Sequence, residues 1–202
     1  MDQSNIIKYT IERFAEILGR ITFENNSVPV DFTGTLRIDS TDESPVIRLI
    51  LLGVEENNQY NKNERITEKG TDNDGKEIEY LVSPSTLMDL SLMVCPMCGD
   101  RMKALSLIGG IIKHLKDNPL IDFGEYAWRT CDGGLSRIDQ ISRMPVEKQL
   151  ASKSMAGIPC DVPALFYTIT IGIDSDNKEV IRRVERRKFD FGDKERMEKK
   201  NA

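Results

Sequence analysis

The sequence predicts an α/β chain of the α+β kind, a sheet flanked by an N-terminal helix and a central amphipathic helix. Three observations carry that reading. Over 87–119 a strand, a Cys-Pro-Met-Cys-Gly-Asp corner and an amphipathic helix follow one another without a gap. The run 46–54 is apolar on both faces apart from Arg48 and Gly53, as a strand covered on both sides requires. Along 165–173, Leu165, Tyr167, Ile169, Ile171 and Ile173 alternate with Phe166, Thr168, Thr170 and Gly172, the period of a pleated strand.

The 87–119 unit is the expected centre of the fold. Met88, Leu90, Leu92 and Val94 share one strand face, and Asp89, Ser91 and Met93 share the other. From Arg101 the period changes to three and four. Met102, Leu105, Ile108, Ile112 and Leu115 form an apolar stripe opposed by Lys103, Ser106, Gly110, Lys113 and Asp117, which lays one helix face on the sheet. Asp100 is the N-cap candidate and Asn118-Pro119 the stop, because proline disfavours helical backbone in the residue before it. Gly109 and Gly110 each cost about 1 kcal/mol relative to alanine in mid-helix, a cost that close helix-to-sheet packing is expected to offset.

Taken in order, the chain opens on a helix. Ile7, Ile11, Phe14, Leu18 and Ile21 recur at helical spacing behind Ser4, the cap candidate, with Gly19 near the end. Val30, Phe32, Leu36 and Ile38 alternate with Asp31, Thr33, Thr35, Arg37 and Asp39, predicting a half-exposed strand before a turn at Asp42-Glu43-Ser44-Pro45. Residues 55–77 are almost wholly polar and read as a long loop, followed by a short edge strand over 78–82. Past the central helix, 123–128 and 135–141 read as short strands around a Cys131-Asp132-Gly133-Gly134 turn. A short helix starts at Pro145 and ends near Gly157. After 165–173, Asp174-Ser175-Asp176-Asn177 turns the chain toward a hairpin partner over 179–188. The expected organisation is one domain over 1–190 with a charged tail over 191–202.

At 202 residues, with 39 % hydrophobic and 30 % charged residues, the chain is long enough to build one core without staples. A net charge of -5 argues against a general nucleic-acid binder, because neutralising phosphates needs an excess of Lys and Arg. The first residues lack the basic and apolar regions of a signal peptide, and no run approaches the roughly 18 apolar residues of a membrane span. The expectation is a soluble, cytoplasmic protein with neither nucleic acid nor membrane as partner.

Cys95-Pro96-Met97-Cys98 matches one knuckle of a zinc ribbon. A closed structural site needs four ligands, and the remaining candidates, Cys131, Cys160 and His114, contain no second Cys-x-x-Cys. Half-buried thiols at a strand-to-helix corner therefore outrank a zinc site, which in turn outranks a thioredoxin-like redox pair. His114, the only histidine, borders the polar stripe beside Lys113, where a solvated residue is expected rather than a catalytic base. The 174–177 turn lacks the Gly and distal Glu of a calcium loop, Glu55-Glu56 reads as the solvated end of a strand, and no Gly-rich phosphate loop occurs. The expected lists of catalytic, cofactor-binding and metal-ligating residues are empty, and the chain reads as a non-enzyme.

Between residues 182 and 200 nine basic residues stand against five acidic ones, a local net of +4 on an acidic chain. Arg182, Arg183, Arg186, Arg187 and Lys188 are the candidate partner-binding residues, suited to an acidic partner. A solvated hairpin and fraying end is the plainer reading of the same charges.

Three further stretches occur in one order. The first is 46–57, where the apolar run passes into Val54-Glu55-Glu56-Asn57. The second is 88–92 followed by Ala104-Leu105-Ser106-Leu107-Ile108-Gly109 and His114-Leu115-Lys116-Asp117-Asn118-Pro119. The third is Pro145-Val146-Glu147-Lys148, Ala156-Gly157 and Ala164-Leu165-Phe166-Tyr167-Thr168-Ile169. Together, over roughly 5–174, they resemble the tail-terminator or tube-cap family of contractile injection systems, phage-tail-like particles whose distal end is closed by a Pvc-type cap protein. The resemblance implies a terminator fold with a mixed, mostly antiparallel sheet, a ring of six copies, contacts to inner-tube and sheath subunits, and a place at the distal end of the particle. The lack of a catalytic constellation agrees with an assembly component. Two readings compete. A zinc-dependent or other small soluble protein-interaction module would carry metal or another partner, and a thiol or redox enzyme would react through Cys95, Cys98 or His114.

Overall fold

The structure, a computed structural model, describes residues 5–32, 44–57, 65–71, 75, 77–129, 134–175 and 178–181. The chain runs through α1 (Ile6–Gly19), β1 (Thr22–Phe23), β2 (Asn26–Ser27), β3 (Val30–Asp31), β4 (Val46–Glu56), β5 (Ile66–Thr71) and β6 (Glu77–Val82). It continues through β7 (Thr86–Met97), α2 (Arg101–Asp117), β8 (Leu120–Asp122), β9 (Leu135–Gln140), α3 (Val146–Met155), β10 (Leu165–Ile173) and β11 (Lys178–Ile181). Two units divide these elements. Met1–Glu64 and Ser83–Asp176 form the first, and Arg65–Val82 and Asn177–Ala202 the second.

In the first unit a six-stranded sheet has the order β3-β4-β7-β10-β9-β8. Only β3 and β4 run parallel, and every other neighbouring pair is antiparallel, so the sheet is mixed and mostly antiparallel. The two strands with the clearest period-2 patterns lie at its centre, paired from Leu165↔Val94 to Ile173↔Thr86. Their faces separate as the alternation demands. Leu90, Leu92 and Val94 of β7 meet Tyr167, Ile169 and Ile171 of β10 beneath Phe14 and Leu18 of α1 and Leu107 and Ile111 of α2. Each such fully buried side chain contributes about 1.5–3 kcal/mol of transfer free energy. Met93 and Cys95 turn to the opposite face and pack with Phe166 and Ile158, joined by Ile50 and Leu52 of β4. The segment after α3 thus covers the second face of the doubly apolar strand.

The strand-to-helix corner is tighter than its cysteine spacing suggests. Cys95, Pro96 and Met97 remain within β7, and the chain turns only at Cys98. Asp100 caps α2, its Oδ1 accepting from the amides of Met102 at 2.7 Å and Lys103 at 3.4 Å. At the other end the Asn118 amide donates to the His114 carbonyl, and β8 follows Pro119 directly.

The inward face of α2 differs from the expected stripe. Ala104, Leu107, Ile111 and Leu115 are buried, while Met102 is 72 % exposed and Leu105 also faces outward. The helix carries two apolar stripes that share Leu115, and periodicity alone cannot choose between them; packing against the sheet does. Gly109 and Gly110 are exposed, and a methyl group at either would meet nothing within 4 Å. The close packing expected to offset their helical cost is absent at both positions.

Among the described residues the strand expected from the 30–38 alternation is paired at Val30–Asp31, with its inward face reversed. Asp31 is 3 % exposed and Phe32 is 44 % exposed, because Asp31 Oδ2 accepts from Arg48 Nη2 at 3.3 Å on the neighbouring strand. Leu36 and Ile38 lie outside the described residues. The expected strand over 123–128 is instead a 3-10 turn, Gly124–Tyr126, after the short β8. Phe123 and Trp128 enter the core edge-to-face with ring centroids 5.2 Å apart. Trp128 lies so close to β10 that a methyl group on Gly172 would sit 2.2 Å from its Cδ1.

The second unit is a three-stranded antiparallel sheet in the order β11-β6-β5. Its β5 falls within the polar 55–77 stretch read as a loop, and β6, expected at an edge, is the middle strand. Pairing with β6 satisfies the backbone groups on one side of β5 without needing an apolar face. Tyr80 lies over Gly70, where a methyl group would be 2.6 Å from its Cε2. The expected hairpin between 165–173 and 179–188 does not form, since β11 pairs with β6 and β10 is flanked by β7 and β9.

Candidate assembly surfaces

Of the groups considered for chemistry, Cys95 packs in the core and His114 joins two helices. Cys95 is fully buried, and burial pushes its thiol up to about 12, against the opposing pull of Lys153 and Arg48. That direction disfavours the thiolate form which a metal ligand or nucleophile requires. Cys98 is half-buried beyond the strand end and Cys160 is exposed, while Cys131 lies outside the described residues. Among the described residues no group of three or more His, Cys, Asp or Glu side chains is placed to hold a metal ion. His114, expected to be solvated, is half-buried, with Nε2 2.9 Å from the Ile17 carbonyl oxygen. It joins α2 to α1.

Two acidic stretches have structural partners. The Asp174 carboxylate accepts from Ser85 Oγ at 2.6 Å and from the Arg129 amide, and Arg129 Nη1 donates to the Ser175 carbonyl at 3.0 Å. The turn after β10 is therefore a clasp onto the start of β7. At the exit of β4, Asn57 Nδ2 donates to Asp89 Oδ2 at 2.9 Å, and Thr170 Oγ1 donates to Asp89 Oδ1 at 2.7 Å. That brace across three strands presents Glu55 and Glu56 outward at the strand end.

The surfaces available for assembly were not singled out by the sequence patterns. On α2 the outward Met102 and Leu105 share the helix surface with Gly109 and Gly110, while Val146, Leu150 and Met155 of α3 are exposed, Met155 by 86 %. Scattered exposed apolar residues are ordinary, but two helices each presenting several mark surfaces suited to a partner. Between α3 and the sheet lies an open groove of about 490 Å³, with apolar walls from Leu52, Ile141, Met144 and Met155 and charged rims from Glu55, Arg143 and Lys148. A register shift between Leu51 and Gly53 in β4 shapes one side of it. The helix expected from Pro145 to near Gly157 is present as Val146–Met155, and its interior contact is a lysine: Lys153 is buried and its Nζ donates to the Cys160 carbonyl at 3.1 Å. The five basic candidates, Arg182, Arg183, Arg186, Arg187 and Lys188, lie outside the described residues.

Two solved structures share this architecture. The sheath/tube terminator of the extracellular contractile injection system PVC, in its extended state, matches with a TM-score of 0.57 and 11 % identity, over 89 % of this chain and 60 % of that one. The tube-terminating cap of the anti-feeding prophage matches with a TM-score of 0.55 and 13 % identity, over 87 % of this chain and 58 % of that one. This chain has the tube-terminator fold. It spans about three fifths of the length of those terminators. No protein-family model and no curated protein matches the sequence. Among the described residues no helix is long and apolar enough to cross a membrane.

Proposed function

We propose that the chain is the structural cap of a contractile injection system, a ring of six copies that ends growth of the inner tube and sheath. The observation that carries this is the fold, shared over nearly the whole chain with a sheath/tube terminator and a tube-terminating cap. The exposed apolar residues of α2 and α3 support assembly, and the burial of Cys95 weighs against thiol chemistry. The cap is a non-enzyme that assembles in the cytoplasm at the distal end of the particle. Its partners are its own copies, the inner-tube protein and the sheath protein.

The sheath contact is assigned to Arg182, Arg183, Arg186, Arg187 and Lys188. They follow β11 directly, and β11 is an outer strand of its sheet among the described residues, so an extended partner arm could add to its edge while the cations meet acidic groups. Replacing all five with glutamine should leave the ring folded and release it from sedimented particles at lower salt than the unaltered protein. Exposed charge pairs are screened within about 8 Å at physiological ionic strength. Identical retention of both proteins at every salt concentration would remove the basic segment from the interface.

A further inference from the structure

We infer that the groove between α3 and the sheet is the docking site for a partner protein's segment in which carboxylates stand next to apolar side chains. The inference goes beyond the cap reading and does not need the ring. It starts from two cations on the groove's rim. Arg143, in the turn before α3, and Lys148, in the first turn of α3, both line the groove and are exposed. Among the described residues neither has an ion pair. Glu55, at the end of β4, is the one carboxylate among the lining residues, and Glu147, the acid next to Lys148 in sequence, does not line the groove. The lining therefore carries an excess of positive charge on a chain whose net charge is -5.

The same groove is apolar beside those cations. Leu52, Ile141, Met144 and Met155 wall it, and Met155 is 86 % exposed. Methionine side chains re-pack around partner groups of different shape, and charges next to apolar walls attract an opposite charge more strongly than charges standing in open water. The two halves of the lining select one kind of occupant. An inorganic anion would meet Arg143 and Lys148 and leave the methionines in water. A wholly apolar segment would cover the methionines and desolvate two cations without pairing them, which is unfavourable. A segment with carboxylates beside leucine or phenylalanine satisfies both halves, and a basic segment is opposed by the same two cations. The volume, about 490 Å³, lies in the roughly 300–1,000 Å³ range of clefts that hold ligands.

The test selects from a phage-displayed library of random dodecapeptides on the full chain, then measures the enriched peptides by fluorescence anisotropy and by hydrogen exchange. Enriched peptides should carry aspartate or glutamate next to leucine, isoleucine, methionine or phenylalanine, and should slow exchange over 141–155. Arg143→Gln with Lys148→Gln should weaken their binding about tenfold, the effect of losing two exposed charge pairs. Selection on Arg143→Glu with Lys148→Glu should enrich lysine and arginine instead, a reversal that a misfolded variant would not show. No enrichment, enrichment without carboxylates, a footprint that misses 141–155, or an unchanged selection on the charge-reversed variant would overturn the docking site. So would slowed exchange over 141–155 before any peptide is added: slowing that grows with protein concentration would give the groove to a second copy, and slowing at every concentration would give it to the chain itself. Each of these failures leaves the cap reading standing, because that reading is decided by the tubes and not by the isolated chain.

Discussion

Among the described glycines, Gly172 leaves the least room for a side chain. A methyl group there would lie 2.2 Å from Trp128 Cδ1, and Trp128 is itself wedged against Phe123 in the core. Gly172→Ala should therefore destabilise the protein by about 1–3 kcal/mol, the usual cost of overpacking, read as a lower urea midpoint; an unchanged midpoint would show that Trp128 moves freely. Cys95 and Tyr167 give a second prediction. Burial raises the first from 9.0 to about 12 and the second from 10.0 to about 12. A group whose pKa is raised on folding contributes stability that is intact below its unfolded value and lost as pH rises through the folded one. The urea midpoint should accordingly fall as pH rises above about 9, and Cys95→Ala should flatten that fall; an equal slope in the variant would rule Cys95 out as its cause. The Asp100 cap was legible because capping is local. The Asp31–Arg48 pair was not, because its partners are 17 residues apart and an alternation pattern counts a carboxylate as outward.

Among the elements, β7 and β10 were legible because each buries both faces in a regular alternation, and the chain places them side by side. The strand β5 was not, since a strand in a mostly solvated sheet carries no periodic apolar signal. The α2 helix lies between these cases: its existence and ends followed from Asp100 and Asn118-Pro119, but its inward face did not, because either apolar stripe satisfies the helical period. Its glycines give the element-scale prediction. With nothing within 4 Å of a methyl group at Gly109 or Gly110, Gly109→Ala and Gly110→Ala should each stabilise the isolated chain by about 1 kcal/mol, measurable as a rise in melting temperature. A fall would mean that these positions pack closely after all.

At the scale of the molecule, the ordered motifs in the sequence and the structure point to the same fold by separate routes, one through short stretches and one through topology shared at 11–13 % identity. The candidate assembly surfaces were not legible. Exposed apolar residues on α2 and α3 carry the same letters as core residues, and only packing shows which ones the core leaves out. A cap differs from a side-bound component in one respect: it sets where the tube stops. The most direct measurement is the length distribution, by electron microscopy, of tubes assembled with and without the protein. The capping account predicts tubes of defined length with a ring at one end when it is present, and longer tubes of scattered length when it is absent. Tubes of unchanged length in its absence would contradict the account.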